Sequence, residues 1–174
     1  MIKNTFDSGI VPLENMHEYF MREALKQALI AYDRGEVPVG AVVVYKNKII
    51  ARGHNQMETL HDPTAHAEMI AITSASEKLS EQSDKHRGSL EGCTLYVTME
   101  CCPMCAGALV ITKCSAVVYG AADAKAGACE TLFKIPQDDR LNHRLSVLGG
   151  VMEEDSKLLL REFFINLRNK AKSR

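Results

Sequence analysis

Cys93-Thr94-Leu95-Tyr96-Val97-Thr98, followed by Cys102-Pro103-Met104-Cys105, reads as a strand that feeds directly into a helix. β-branched and aromatic residues suit a pleated surface. Pro103 is at home at a first helical position, where its missing N–H costs nothing. Met104, Ala106, Ala108, Leu109, Val110 and Ile111 continue the helix as an apolar run. Cys102 then lies at the cap and Cys105 one turn further on. Residues three apart share a helix face, so both sulfurs can reach one ion. The positive end of the helix favours thiolate, the form that binds metal.

A second motif lies upstream: His66-Ala67-Glu68. His61-Asp62-Pro63-Thr64 before it reads as a helix start, with Asp62 as cap and Pro63 at the first helical position. Zinc takes thiolate and imidazole ligands tetrahedrally, and a catalytic zinc keeps one position open for water. His66, Cys102 and Cys105 supply such a set. Glu68, two residues from His66, need not be a ligand; it can reach the water from another side and carry its proton. The pattern points to hydrolytic deamination of a nucleobase, a chemistry for which His-x-Glu with Cys-x-x-Cys is a known signature.

Each motif has a plainer reading. His-x-Glu alone is common, and Cys-x-x-Cys alone can be a redox pair or half of a structural zinc site. The redox reading wants a thioredoxin-like context, which is absent. A closed structural site wants a fourth ligand. Cys101 could be proposed, but adjacent residues rarely chelate one tetrahedral ion comfortably.

Working outward, Met16 to Arg34 has helical periodicity through Phe20, Ala24, Leu25, Ala28, Leu29 and Tyr32, and Gly35 marks its end. Val39 to Tyr45 suits a buried strand and forms a hairpin with Ile49-Ile50-Ala51. Residues 55–60 read as loop, and Lys78 to Gly88 as a polar surface loop. Ser115 to Tyr119 and Arg144 to Val151 read as further strands, with a helical turn or loop over 128–142. Residues 153–170 form a last amphipathic helix with Leu158, Leu159, Phe163 and Leu167 on its inner face. Residues 1–12 are a loose lead-in. The expected fold is α/β, a central mixed five-stranded sheet covered by helices, in one domain over 1–174.

The 174 residues are 46% hydrophobic and 25% charged, ordinary for a soluble globular protein. The net charge of −1 shows no general bias toward polyanions. Five basic residues (Arg161, Arg168, Lys170, Lys172, Arg174) against Glu162 make the C-terminal end basic, a modest pointer to nucleic acid. Six cysteines without an export signal predict a reducing, cytoplasmic setting, with Cys93, Cys114 and Cys129 as small buried hydrophobes. No apolar stretch approaches the ~20 residues of a membrane span.

The chain resembles the cytidine-deaminase-like zinc deaminases, and within them the bacterial tRNA-specific adenosine deaminases, from about residue 16 to 168. The resemblance rests on Glu36-Val37-Pro38-Val39-Gly40-Ala41, on Gly53 and Asn55, and on His61 through Glu68. It continues through Thr94 to Thr98, Pro103 to Ala108, Gly120 to Lys125, Leu141 to Arg144, and Phe163-Phe164. It implies a three-layer α/β/α fold, a homodimer and one Zn2+ per subunit. The implied reaction turns adenosine into inosine at the wobble position of a tRNA anticodon loop, typically in the arginine tRNA with an ACG anticodon. By the same resemblance His66, Cys102 and Cys105 hold the metal and Glu68 moves the proton. Asn55 bonds the base, with Pro38, Val39, Ala67 and Met99 around it. Asp123, Lys125, Asn142, His143, Arg144, Phe164 and Arg168 face the RNA.

Two departures stand out. Cys101 occupies the place where the family usually carries Pro, and the last helix has fewer arginines than is common. A deaminase of free guanine, cytosine or a nucleoside shares the zinc motif. A non-catalytic, zinc-folded RNA-binding subunit is a further reading, though such a subunit would be expected to lose Glu68.

Overall fold

The computed structural model describes residues 13–82 and 87–172. The expected lead-in over 1–12 and part of the 78–88 loop lie outside these residues. Five strands form one mixed sheet: β1 Gly40–Tyr45, β2 Lys48–His54, β3 Cys93–Met99, β4 Ala116–Ala121 and β5 Ser146–Leu148, in the order β2-β1-β3-β4-β5. β1 runs antiparallel to both β2 and β3, whereas β3, β4 and β5 are parallel.

The strands' alternation decides the layers. Val42, Val44, Tyr96 and Val118 face one way and pack with Phe20, Met21 and Ala24 of α1 (Leu13–Asp33). Ala41, Val43, Leu95, Val97 and Val117 face the other way. They pack with α3 (Ala67–Gln82) and α4 (Pro103–Ile111). α5 (Glu153–Lys172) joins α1's side, where Phe163 meets Tyr32 edge-on at 5.9 Å. The result is the α/β/α arrangement expected from the resemblance. Among the described residues no helix is long and apolar enough to cross a membrane.

Several local expectations need correction. Residues 57–60 form a one-turn helix, α2 (Met57–Leu60), inside the expected loop. The helix carrying the first motif starts at Ala67 and not at Pro63. Asp62 Oδ1 accepts from the Thr64 N–H at 2.8 Å and from its hydroxyl at 2.7 Å, so this carboxylate closes an Asx turn instead of capping a helix. The expected surface loop from Lys78 is helical through Gln82. β5 is only three residues long, against the expected 144–151. On α5, Leu158 and Leu167 are about half exposed, and the buried positions are Ser156 and Phe163. Gly120 sets that rotation, because a Cβ there would collide with Ser156.

The parallel part of the sheet puts the ends of β3 and β4 at one edge, beside the start of β1 and the end of β2. Ligands of open α/β sheets collect at the carboxyl ends of the strands. Gly53 lets the start of α3 close onto β2, since a Cβ there would meet the Ala67 carbonyl. Both motifs are thereby delivered to the same edge.

Candidate zinc centre and base pocket

His66 precedes α3, and its carbonyl accepts the first helical bond, from Ile70 N at 3.1 Å. Cys102 is the N-cap of α4, and its carbonyl accepts from Ala106 N at 2.9 Å. Both ligands therefore sit where helix N–H groups and dipoles favour negative charge. The His66 Nδ1 lies 3.6 Å from Cys102 Sγ and 3.6 Å from Cys105 Sγ. At zinc's usual bond lengths a tetrahedral angle separates nitrogen from sulfur by about 3.6 Å. The three ligand atoms all lie within 4.8 Å of one another, and this is the metal-capable cluster found among the described residues. The donor set fits zinc, with the fourth position left open.

The thiols polarise each other. The Cys105 thiol donates toward Cys102, which, helped by His66, is pushed down to about 4; Cys105 is correspondingly raised. The bond to Cys102 raises His66. Glu68 stands in the first turn of α3, 4% exposed, and burial pushes its carboxyl above the ordinary range. A carboxyl that is easily protonated suits a group that must take a proton and hand it on.

His66, Glu68 and Cys102 open into a cavity of about 150 Å³. Its other walls include the expected Val39, Asn55 and Met99, and also Asp123, which the resemblance placed against the RNA. Pro38 is fully buried and does not line the cavity; Val37 takes the wall position instead. Ala67 is also fully buried, beneath the site. The cavity is smaller than the ~300 Å³ and upward that enclose a whole drug-sized ligand. It suits one projecting group of a larger substrate.

The expected RNA residues divide. Lys125, Phe164 and Arg168 are exposed, and Phe164 leans edge-on against Phe163 at 5.4 Å. Asn142, His143 and Arg144 are not brought to the pocket. They precede β5, beside the beginning of β4, and the His143 Nε2 donates to the Cys114 carbonyl at 2.7 Å. The pocket adjoins the other end of this six-residue strand, about 20 Å away at ~3.3 Å per residue.

Two buried carboxylates and two wall residues, Val37 and Met57, escape the sequence reading. Glu36, 1% exposed, accepts from the N–H groups of Glu58 (3.1 Å) and Thr59 (2.7 Å), and Asn55 Nδ2 reaches it at 3.5 Å. It thus caps α2 and fixes which end of the Asn55 amide turns away from it. Glu100 lines the pocket and is 3% exposed. Glu100 is an acid inside an otherwise apolar run and Glu36 an acid at the head of one, the one signal that could have flagged them.

Glu36 supports a pH prediction. Burial opposes its charge, but the N–H groups of Thr59 and Glu58, with His54 nearby, outweigh burial and hold its pKa below the ordinary 4.5. A depressed folded pKa gives stability that is present above 4.5 and lost as pH falls through the lower folded value. We expect Glu36→Gln to cost about 2 kcal/mol at pH 7. The gap to wild type should close in urea titrations as pH drops below 4.5; a constant gap would refute this.

A hydrolytic zinc deaminase is the class of protein that this arrangement defines. The model of the cytidine and deoxycytidylate deaminase zinc-binding region matches residues 14–121. The chain is 47% identical to the tRNA-specific adenosine deaminase of Bacillus subtilis (strain 168), over 90% of this chain and 93% of that one. It is similar to a structure solved in studies of A-to-I editing by tRNA:A34 deaminases at the wobble position of transfer RNA. There the TM-score is 0.75 at 38% identity, over 81% of this chain and 98% of the other. A guanine deaminase from Bacillus subtilis is similar with a TM-score of 0.55 at 40% identity, over 61% of this chain and 64% of the other. The chain belongs to the tRNA-specific adenosine deaminase family of these zinc enzymes.

Proposed function

We propose that this chain deaminates adenosine to inosine at the wobble position of a tRNA, the arginine tRNA with an ACG anticodon, as a cytoplasmic homodimer with one zinc per subunit and one deaminase domain per chain. The observation that carries the reading is the His66–Cys102–Cys105 triangle with buried Glu68 on the floor of a pocket large enough only for part of a substrate. The six free cysteines accord with a reducing compartment. Ile111 is 82% exposed on α4, an apolar face that suits a second copy.

The pocket takes a base that has left its stack, and a single-stranded anticodon loop presents such a base at low cost. His66 Nδ1 and the sulfurs of Cys102 and Cys105 would hold zinc, which would supply a water that ionises near pH 7. Glu68 accepts the water's first proton and gives it to the adenine ring nitrogen as the water oxygen bonds to C6. It then carries the second proton from that oxygen to the amine, the C6–N bond breaks, and ammonia leaves a C6 carbonyl behind. Asn55 holds the base by hydrogen bonding, and Val39 and Met99 cover its apolar faces. Lys125, Phe164 and Arg168 contact the loop around it. The contacts of Asn142, His143 and Arg144 fall on RNA beyond the target base.

The deciding experiment uses zinc-loaded protein and an anticodon stem-loop with adenosine at the wobble position. Guanine, cytosine, cytidine and free adenosine run alongside. Inosine should form in the stem-loop alone, with binding that weakens steeply as salt rises. Ammonia released from guanine, with the stem-loop untouched, would overturn the tRNA assignment and favour the chemistry of the similar guanine deaminase.

A further inference from the structure

Glu100 directly follows β3, between Met99 and Cys101, two residues before a zinc ligand. Its backbone N–H donates to the Ala121 carbonyl at 2.8 Å, and its side chain turns inward. Oε1 accepts from three successive N–H groups, those of Cys129 (3.1 Å), Glu130 (2.8 Å) and Thr131 (3.0 Å). Oε2 accepts from the Asp123 N–H at 3.0 Å and from the Thr131 hydroxyl. Among the described residues it has no ion pair with Lys or Arg. Successive backbone N–H groups form a concavity for an anion, and here the anion is a side chain of the same protein. Gly127 is required beside it, because a Cβ there would collide with Oε2.

We propose that Glu100 is a positioning residue for deamination. Its carboxylate clamps the 123–131 segment onto the end of β3 and so fixes Asp123 as a wall of the base pocket. The same carboxylate touches both ends of the segment, Asp123 and residues 129–131. The segment is further tied to this strand end by Ala128 N donating to the Cys101 carbonyl at 2.8 Å. Asp123 in turn organises its own neighbourhood: its Oδ1 accepts from Lys125 N at 2.8 Å, and its carbonyl accepts from Gly127 N at 2.9 Å. Met99, Glu100 and Asp123 all border the cavity that holds Glu68. Residues far apart in the chain thus set one wall through a single charge. The effect on catalysis rests on the tRNA reading above; the clamp itself does not.

The test is Glu100→Gln, which keeps the shape but replaces one acceptor oxygen with an NH2 that opposes the backbone N–H groups. With zinc bound at one per chain, amide hydrogen exchange should accelerate across 123–131 and stay unchanged in α1 and α3. KM for the stem-loop should rise about tenfold, the loss of one charge-assisted hydrogen bond, with a smaller change in kcat. In an Asp123→Ala background Glu100→Gln should add little, because the two act through one wall. Thr131→Ala removes a single bond of the set and should move exchange and KM in the same direction by less, with the fold intact. Unchanged exchange in these variants, or additive costs in the double variant, would overturn the proposal. If the wild type ignores the stem-loop, the tRNA reading fails and the exchange data alone decide the clamp.

Discussion

Glu68→Ala is expected to keep its zinc and lose turnover by at least about 10³-fold, within the range that a positioned acid–base group supplies. The expectation follows from what surrounds the side chain. Glu68 does not complete the ligand triangle, which His66, Cys102 and Cys105 form without it. It is buried at the start of α3 with its pKa raised, and it is a carboxyl lying on the cavity floor beside the ligands. Removing it leaves the metal's donors in place and removes the group that accepts the water's proton and returns it. Zinc content by atomic absorption and inosine formation by mass spectrometry separate the two effects. Turnover near the wild-type rate would end the proton-shuttle mechanism. Glu68→Gln, which preserves the packing, should be equally slow, because an amide cannot carry the proton.

Cys105→Ala is expected to lose the metal and to fall in stability together. Cys105 is fully buried, in the first turn of α4, packed within the core shared by α3 and α4. Held by His66 and the two cysteines, zinc would tie the start of α3 to the start of α4, so binding would stabilise the packing of two helices against one sheet face. A ligand that binds only the folded state at a thousandfold excess over its dissociation constant adds about 4 kcal/mol. The variant should forfeit that contribution and melt at the temperature of the chelator-treated wild type. Calorimetry with and without a chelator checks this. A variant that holds one zinc per chain would shift the ligand set, with Cys101 as the neighbouring thiol to test.

The sequence by itself determined the chemistry. Cys102, Pro103 and Cys105 are contiguous, so the strand, the cap and the helix that aim two sulfurs at one ion are all local consequences of a few residues. The hairpin, the periodic first helix and the alternating strands were legible for the same reason, as was the mixed sheet they imply. His61 to Thr64 misled because Asp62 can satisfy an N–H in two ways: a turn and a cap look alike until the partner is known.

What only the tertiary structure decided involves partners far apart in the chain. α5 presents more than one apolar stripe, and contact with Gly120 and Tyr32 selected Ser156 and Phe163 as the inner one. The parallel pairing of β4 with β5 carried Asn142, His143 and Arg144 to the edge away from the pocket, which no local motif could show. Glu36 and Glu100 read as ordinary acids, yet each is buried because N–H groups more than 20 residues away converge on it. A buried charge needs donors that only the completed fold can bring together, so the clamp beside the zinc was invisible in sequence although the zinc ligands were plain.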